Sequence, residues 1–153
     1  LMRILPLAFT EASPSDIEAV SSITHAHATS VEACQLYVDI ARRLLKGQQL
    51  SEILSGLETS KTYARLQTLA ELTEDDIRSS GYVVDTLEAA LWCLLTSTSY
   101  PETVLKAVNL GDDTDTVAAV AGGLAGIIYG LEGIPDNWLA QLRNKELLES
   151  CLF

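Results

Sequence analysis

Hydrophobic residues recur along this chain at the spacing of helix faces, and no segment shows the strict alternation that predicts a strand. The clearest stripe runs through residues 30–46, where apolar side chains three and four positions apart share one face. Start signals predict helices from Ser13 towards Ile23 and from Ser99 to about Leu110. Further helices are predicted at 49–55, at 60–70, after Gly81, after Asp115 and, as a short pair, after Pro135. The pattern therefore predicts an all-α fold.

The segment after Asp115 is predicted to form the central helix. Apolar residues line one side of it and small residues line the other. The apolar side holds Val117, Val120, Leu124, Ile127 and Ile128, and the small side holds Ala118, Gly122, Gly126 and Gly130. A helix that is apolar all round is buried. Each glycine weakens an isolated helix by ~1 kcal/mol relative to alanine, so we expect close packing to compensate.

The composition predicts one globular domain with an acidic surface. The chain has 153 residues, of which 48% are hydrophobic, enough to bury a core. Its formal net charge of -11 argues against nucleic acid and anionic membranes as partners, because both attract a surplus of Lys and Arg. The apolar stretch 117–129 is shorter than the ~20 residues that span a bilayer. Cys34, Cys93 and Cys151 form no disulfide framework, so we expect the first two in the core and a reducing, cytoplasmic location.

An acidic cluster precedes the predicted central helix. Asp112, Asp113 and Asp115 lie within four residues, with Thr114 between the last two and Thr116 after them. Two carboxylates ~5 Å apart repel by roughly 3 kcal/mol at an effective dielectric constant of ~20. A divalent cation relieves this repulsion, and carboxylate and hydroxyl oxygens suit Mg²⁺, Mn²⁺ or Ca²⁺. The alternative interpretation is that these residues cap the helix on a solvated turn.

Four segments of the chain resemble one known family. Residues 109–116, followed by 118–122, are similar to the C-terminal signature of the ADP-ribosylglycohydrolases, which include the dinitrogenase-reductase-activating glycohydrolases. Residues 1–7, 23–25 and 80–87 match further family segments in the same order. The resemblance implies an orthogonal multi-helix bundle in which 1–153 is the C-terminal part of a single domain. It also implies hydrolysis of an ADP-ribosyl bond at a two-ion site for Mg²⁺ or Mn²⁺.

The resemblance also implies roles for particular residues. Asp113, Asp115 and Thr116 match the metal ligands of the last Asp-x-Asp-Thr motif, and the two aspartates act in catalysis through the bound metal. Asp112 stands where the family often has glycine, so we expect it either to support the metal ligands from behind or to have a structural role. An ADP-ribosylated substrate is the implied partner.

Three other positions match substrate-binding segments of the family. His25 is implied to lie near the ribose and phosphates, and Gly81 and Tyr82 to line the nucleotide pocket. Simpler interpretations stay open for these positions: His25 as an ordinary histidine at a helix end, and Tyr82 as a core residue. Arg3 is interpreted as a structural ion-pair partner or, alternatively, as a ligand contact.

The chain lacks the Thr/Ser-Asp-Asp metal motif that family members carry before the segment matched by residues 1–7. We therefore expect this chain to supply half of a two-metal site. The N-terminal half of the fold is then expected as a separate fragment or chain. The main alternative is a non-catalytic relative that binds ADP-ribose or has a crystallin-like structural role. A different metal-dependent phosphohydrolase is a further alternative.

Overall fold

The computed structural model describes residues 1–151 and contains helices and turns but no strand among them, which confirms the all-α prediction. The α-helices are α1 Pro14–Ser22, α2 Ala28–Leu45, α3 Leu50–Ser55, α4 Val83–Leu95, α5 Tyr100–Asn109, α6 Thr114–Tyr129, α7 Asp136–Gln141 and α8 Lys145–Cys151. Short 3₁₀ helices lie at Leu5–Phe9, Lys61–Glu71, Glu74–Asp76 and Leu131–Gly133.

Two helices begin at the capping residues that the sequence predicts. At the start of α1, the Asp16 amide donates to Ser13 Oγ at 3.3 Å and the Asp16 carboxylate accepts from the Ser13 amide at 2.8 Å. This reciprocal pair satisfies two backbone donors that no helical carbonyl reaches. At the start of α5, the Glu102 amide donates to Ser99 Oγ at 3.3 Å, and Pro101 occupies the first turn.

The segment predicted as a short helix at 60–70 is a 3₁₀ helix at Lys61–Glu71. Its buried side chains are Tyr63, Leu66 and Leu69, which lie exactly three residues apart. A 3₁₀ helix has three residues per turn, so this spacing places all of them on one face. The spacing of the apolar residues therefore explains the tighter helix.

The core lies between α2, α4 and α6, which contact one another, while α1 packs on α2 and α5 packs on α6. Cys34 of α2 and Cys93 of α4 are buried in this core, as predicted. The helix predicted to be central, α6, buries Val117, Val120 and Leu124 completely or almost completely.

The prediction that α6 is buried all round is wrong. Ile128 is 43% exposed and Ala119 is also exposed. On the small-residue side, a Cβ at Gly122 would lie 3.3 Å from the Tyr100 hydroxyl and 3.4 Å from a methyl of Val104. The partner that approaches this side is thus a pair of side chains of α5, whereas Gly126 faces open space.

The closest approach to α6 comes from Tyr37 of α2. Its buried hydroxyl donates to the carbonyl of Val120 at 2.8 Å. A Cβ at Gly123 would lie 2.8 Å from that hydroxyl and 2.8 Å from Leu5 Cδ2. Burial raises the pKa of Tyr37 well above its ordinary value, so the hydroxyl keeps its proton and remains a donor.

Among the helices described for residues 1–151, none is both long enough and apolar enough to cross a bilayer.

We predict that Gly123→Ala lowers the free energy of unfolding by about 1–3 kcal/mol relative to Gly126→Ala. Both changes add the same methyl group and gain the same helix propensity. Only the methyl at position 123 meets Leu5 and Tyr37 at 2.8 Å, because nothing lies within 4 Å of one at position 126. Urea denaturation of the two variants measures the difference. Equal stability would show that Gly123 is not constrained by Tyr37.

Candidate metal and substrate site

The acidic cluster forms a tight turn between α5 and α6. Gly111 and Asp112 have φ angles of +82° and +56°, both in the left-handed region. Glycine adopts this region freely and aspartate tolerates it better than most residues. Asp112 is exposed, and its backbone forms part of this turn.

Asp113 occupies the N-cap position of α6, but its side chain accepts no capping hydrogen bond. Instead, its Oδ1 accepts a hydrogen bond from Thr116 Oγ1 at 2.8 Å. Its amide donates to the carbonyl of Ser79 at 3.0 Å. The partly buried carboxylate is therefore held by its neighbours without being used as a cap, and the capping interpretation does not fit Asp113.

Gly81 lies directly against the second oxygen of this carboxylate. A Cβ at position 81 would lie 2.9 Å from Asp113 Oδ2, closer than ordinary van der Waals contact allows. The family resemblance implies that Gly81 and Asp113, which belong to two separate motifs, lie in one site. The structure brings these two residues into contact.

Ser79, which no sequence motif singles out, holds the two turns together. Its buried hydroxyl donates to the carbonyl of Gly111 at 2.9 Å and also lies 3.4 Å from that of Leu110. Its own carbonyl accepts the Asp113 amide. The sequence signal at this position is Ser-Ser-Gly before α4. It predicts a turn, but it does not predict that this turn contacts the turn before α6.

Tyr82 is the N-cap residue of α4 and is 56% exposed, so the interpretation of Tyr82 as a core residue is wrong. The backbone around it is ordered by Ser80, whose Oγ accepts the Tyr82 amide at 3.2 Å and donates to Asp85 Oδ2 at 2.6 Å. The Thr86 hydroxyl donates to the carbonyl of Ser80 at 3.1 Å. The ring of Tyr82 thus projects from an ordered turn towards solvent.

Two side chains fasten the segment before this turn to α4. Arg65 pairs with the buried carboxylate of Glu88 at 3.3 Å and donates to the carbonyl of Asp76 at 3.0 Å. The Trp92 ring nitrogen donates to the carbonyl of Leu72 at 3.0 Å. Burial raises the pKa of Glu88, and the Arg65 guanidinium opposes that shift.

His25 lies just after α1, and its ring is exposed. Its Nδ1 is 2.9 Å from Thr24 Oγ1, which accepts a hydrogen bond from Arg3 at 3.0 Å. Arg3 also donates to the carbonyl of Val20 at 3.0 Å. Neither ion pair found in residues 1–151 involves Arg3, so its predicted role as an ion-pair partner is wrong. No hydrogen bond found in the same residues joins His25 to Asp113.

The donor set at the start of α6 fits a divalent cation in its chemistry. Asp113 and Thr116 present oxygen atoms on one helical face, and Asp115 lies exposed in the same first turn. Hard oxygen donors of this kind suit Mg²⁺ or Mn²⁺. Within residues 1–151, no group of three or more His, Cys, Asp or Glu side chains is arranged to hold a metal ion.

Comparison with known proteins identifies relatives for nearly the whole chain. The sequence profile described as ADP-ribosylglycohydrolase matches residues 1–152. An ADP-ribosylarginine hydrolase, Tri1 of Pseudomonas putida, is 40% identical over 126 residues, which are 80% of this chain and 34% of that protein. The ADP-ribosyl-[dinitrogen reductase] glycohydrolase of Rhodospirillum rubrum is 32% identical over an alignment of 155 positions, gaps included, which covers 94% of this chain and 50% of that protein.

A solved structure shares the fold. A chain of an "ADP-ribosylglycohydrolase-related protein complex" superposes with a TM-score of 0.79 and 30% sequence identity, covering 94% of this chain and 53% of that one. The present chain thus spans between about a third and about half of the length of these relatives. The match of the family profile over residues 1–152, together with this fold, places the chain in the ADP-ribosylglycohydrolase family.

Proposed function

We propose that this chain supplies Asp113, Asp115 and Thr116 to a metal-dependent site that hydrolyses an ADP-ribosyl bond. The observation that carries the proposal is the position and hydrogen bonding of the Asp113 carboxylate. It is oriented by Thr116, it is not used as a helix cap, and it lies in the space that Gly81 leaves open. A carboxylate held in this way has an oxygen available for a cation.

The first turn of α6 favours negatively charged side chains and provides oxygen ligands, both of which a cation site needs. The N-terminus of α6 carries a partial positive charge that favours the carboxylates of Asp113 and Asp115. The Thr116 hydroxyl points its proton at Asp113 Oδ1, which leaves the hydroxyl lone pairs available. Bound Mg²⁺ or Mn²⁺, two ions in the complete site, would supply Lewis acidity and an activated water.

The proposed substrate is a protein side chain that carries ADP-ribose. Relatives of this chain are named for ADP-ribosylarginine and for ADP-ribosylated dinitrogen reductase. The net charge of -11 opposes binding of a diphosphate, so a cation at Asp113 and Asp115 is needed to reverse the local field. We assign contacts with the nucleotide to Gly81 and the exposed ring of Tyr82, and contacts with the ribose and phosphates to His25.

The remaining metal ligands are proposed to come from outside these residues. A magnesium ion takes about six oxygen ligands, whereas Asp113, Asp115 and Thr116 are a partial set for even one ion. We propose that the part of the relatives' fold that this chain does not match provides the others. The free thiols of the buried Cys34 and Cys93 are compatible with the cytoplasm as the location.

A non-catalytic relative that binds ADP-ribose, or has a structural role, is the second candidate. The incomplete ligand set of the described residues favours it. ADP-ribose binding by the complete protein, without release of ADP-ribose from a modified arginine in the presence of Mg²⁺, would select this candidate.

We predict that Asp113→Asn and Asp115→Asn each lower the rate of ADP-ribose release by about 100-fold or more, beyond the 10-fold to 100-fold typical of residues that only support a ligand. Folding should be little affected, because neither carboxylate caps a helix. The assay is release of ADP-ribose from an ADP-ribosylated arginine protein by the complete protein with Mg²⁺.

Asp112→Asn is the matched control for these variants. It removes the same charge one residue away, and asparagine also tolerates the left-handed conformation of position 112. We expect it to retain activity within a few-fold of the original protein, a change of under about 1 kcal/mol in the barrier. Equal activity of all three variants would overturn the assignment of the ligands.

We also predict that Gly81→Ala lowers activity by about 10-fold to 100-fold, because the added methyl would lie 2.9 Å from Asp113 Oδ2 and push the carboxylate aside. Gly56→Ala is the control, since its methyl would meet only the Glu52 carbonyl at an ordinary 3.6 Å. Neither position has a left-handed φ. Activity of Gly81→Ala equal to that of Gly56→Ala would show that the contact does not matter for catalysis.

A further inference from the structure

Two adjacent serines precede α4, and their hydroxyl groups bond to different parts of the chain. The buried hydroxyl of Ser79 donates to the Gly111 carbonyl at 2.9 Å, in the turn before α6. The half-buried hydroxyl of Ser80 donates to Asp85 Oδ2 at 2.6 Å and accepts the Tyr82 amide at 3.2 Å. Carbonyl and carboxylate oxygens are acceptors, so the partners fix the direction of both hydroxyl groups. The two serines therefore hold different turns of the candidate site.

Ser79 holds the turn that presents the aspartates. Its hydroxyl bonds to the carbonyl of Gly111, where the backbone is left-handed with a φ angle of +82°. Its own carbonyl accepts the Asp113 amide at 3.0 Å. The Asp113 carboxylate makes no capping bond, so its position depends on the backbone that Ser79 holds and on the hydrogen bond from Thr116.

Ser80 orders the turn that carries Gly81 and Tyr82. Its hydroxyl bridges the Tyr82 amide and the carboxylate of Asp85, which lies in the first turn of α4. Its carbonyl accepts the Thr86 hydroxyl at 3.1 Å. Because the Tyr82 ring is 56% exposed, packing contributes little to its position, and the backbone that Ser80 holds contributes more.

We propose that Ser79 and Ser80 are positioning residues with separate tasks. Ser79 sets the affinity of the site for a divalent cation, through Asp113, and Ser80 sets its affinity for ADP-ribose, through Tyr82. Neither serine is assigned a contact with the ion or with the nucleotide. The identities of the two ligands rest on the proposed function, whereas the two sets of hydrogen bonds do not.

The test compares Ser79→Ala with Ser80→Ala in the complete protein, and each variant is the matched control for the other. Both substitutions remove one hydroxyl oxygen and add no atom, so we expect both variants to fold, which urea denaturation checks. Calorimetry measures the binding of Mn²⁺ and, at saturating Mn²⁺, the binding of ADP-ribose.

We expect Ser79→Ala to weaken Mn²⁺ binding about 10-fold, as is typical of residues that support a metal ligand, with little change in ADP-ribose binding. Ser80→Ala should weaken ADP-ribose binding about fivefold, the range of one hydrogen bond, with little change in Mn²⁺ binding. A merely structural role would weaken both ligands alike in both variants, and that result would overturn the proposal. Unchanged Mn²⁺ binding in Ser79→Ala, or unchanged ADP-ribose binding in Ser80→Ala, would overturn it as well.

Amide hydrogen exchange in the metal-free protein distinguishes failure of this proposal from failure of the proposed function. We expect the Asp113 amide to exchange faster only in Ser79→Ala, and the Tyr82 amide only in Ser80→Ala. If exchange behaves in this way but the original protein binds neither Mn²⁺ nor ADP-ribose, the proposed function fails and the division between the two turns stands. An unchanged exchange rate at Asp113 in Ser79→Ala, or at Tyr82 in Ser80→Ala, would refute the division itself.

Discussion

The hydrogen bond between the Asp113 amide and the Ser79 carbonyl joins the two turns from which the candidate site is built. One turn precedes α4 and carries Gly81 and Tyr82, and the other precedes α6 and carries the aspartates. The Ser79 hydroxyl strengthens the same junction through the carbonyl of Gly111. Because both turns also begin core helices, the positions of the functional side chains follow from the packing of those helices.

Packing in the core also fixes the position of α6, through contacts in the middle of the helix. Tyr37 meets the backbone of α6 through Val120, and Gly123 allows this approach. Arg65 and Glu88 hold the segment that leads into α4. These contacts fix the position of α4 relative to α6. The carboxylate of Asp113 therefore remains next to the space that the missing side chain of Gly81 leaves open. Precise packing of this kind is what a metal ligand set requires.

The sequence predicts the features that depend on neighbouring residues. Helix starts at Ser13 and Ser99 follow from capping chemistry, which involves residues three positions apart or fewer. The contact between Gly81 and Asp113 and the junction made by Ser79 join distant parts of the chain, so periodicity cannot reveal them. For the same reason, the apolar pattern of α6 did not predict that one side remains partly exposed.

The central claim is that Asp113 and Asp115 bind a divalent cation. The most direct measurement is a crystal structure of the complete protein with Mn²⁺ in place of Mg²⁺, using anomalous scattering at the manganese edge. We expect anomalous peaks about 2 Å from carboxylate oxygens of Asp113 and Asp115, beside Gly81. Manganese bound only at other residues, or no manganese at saturating concentration, would show that these aspartates are not metal ligands.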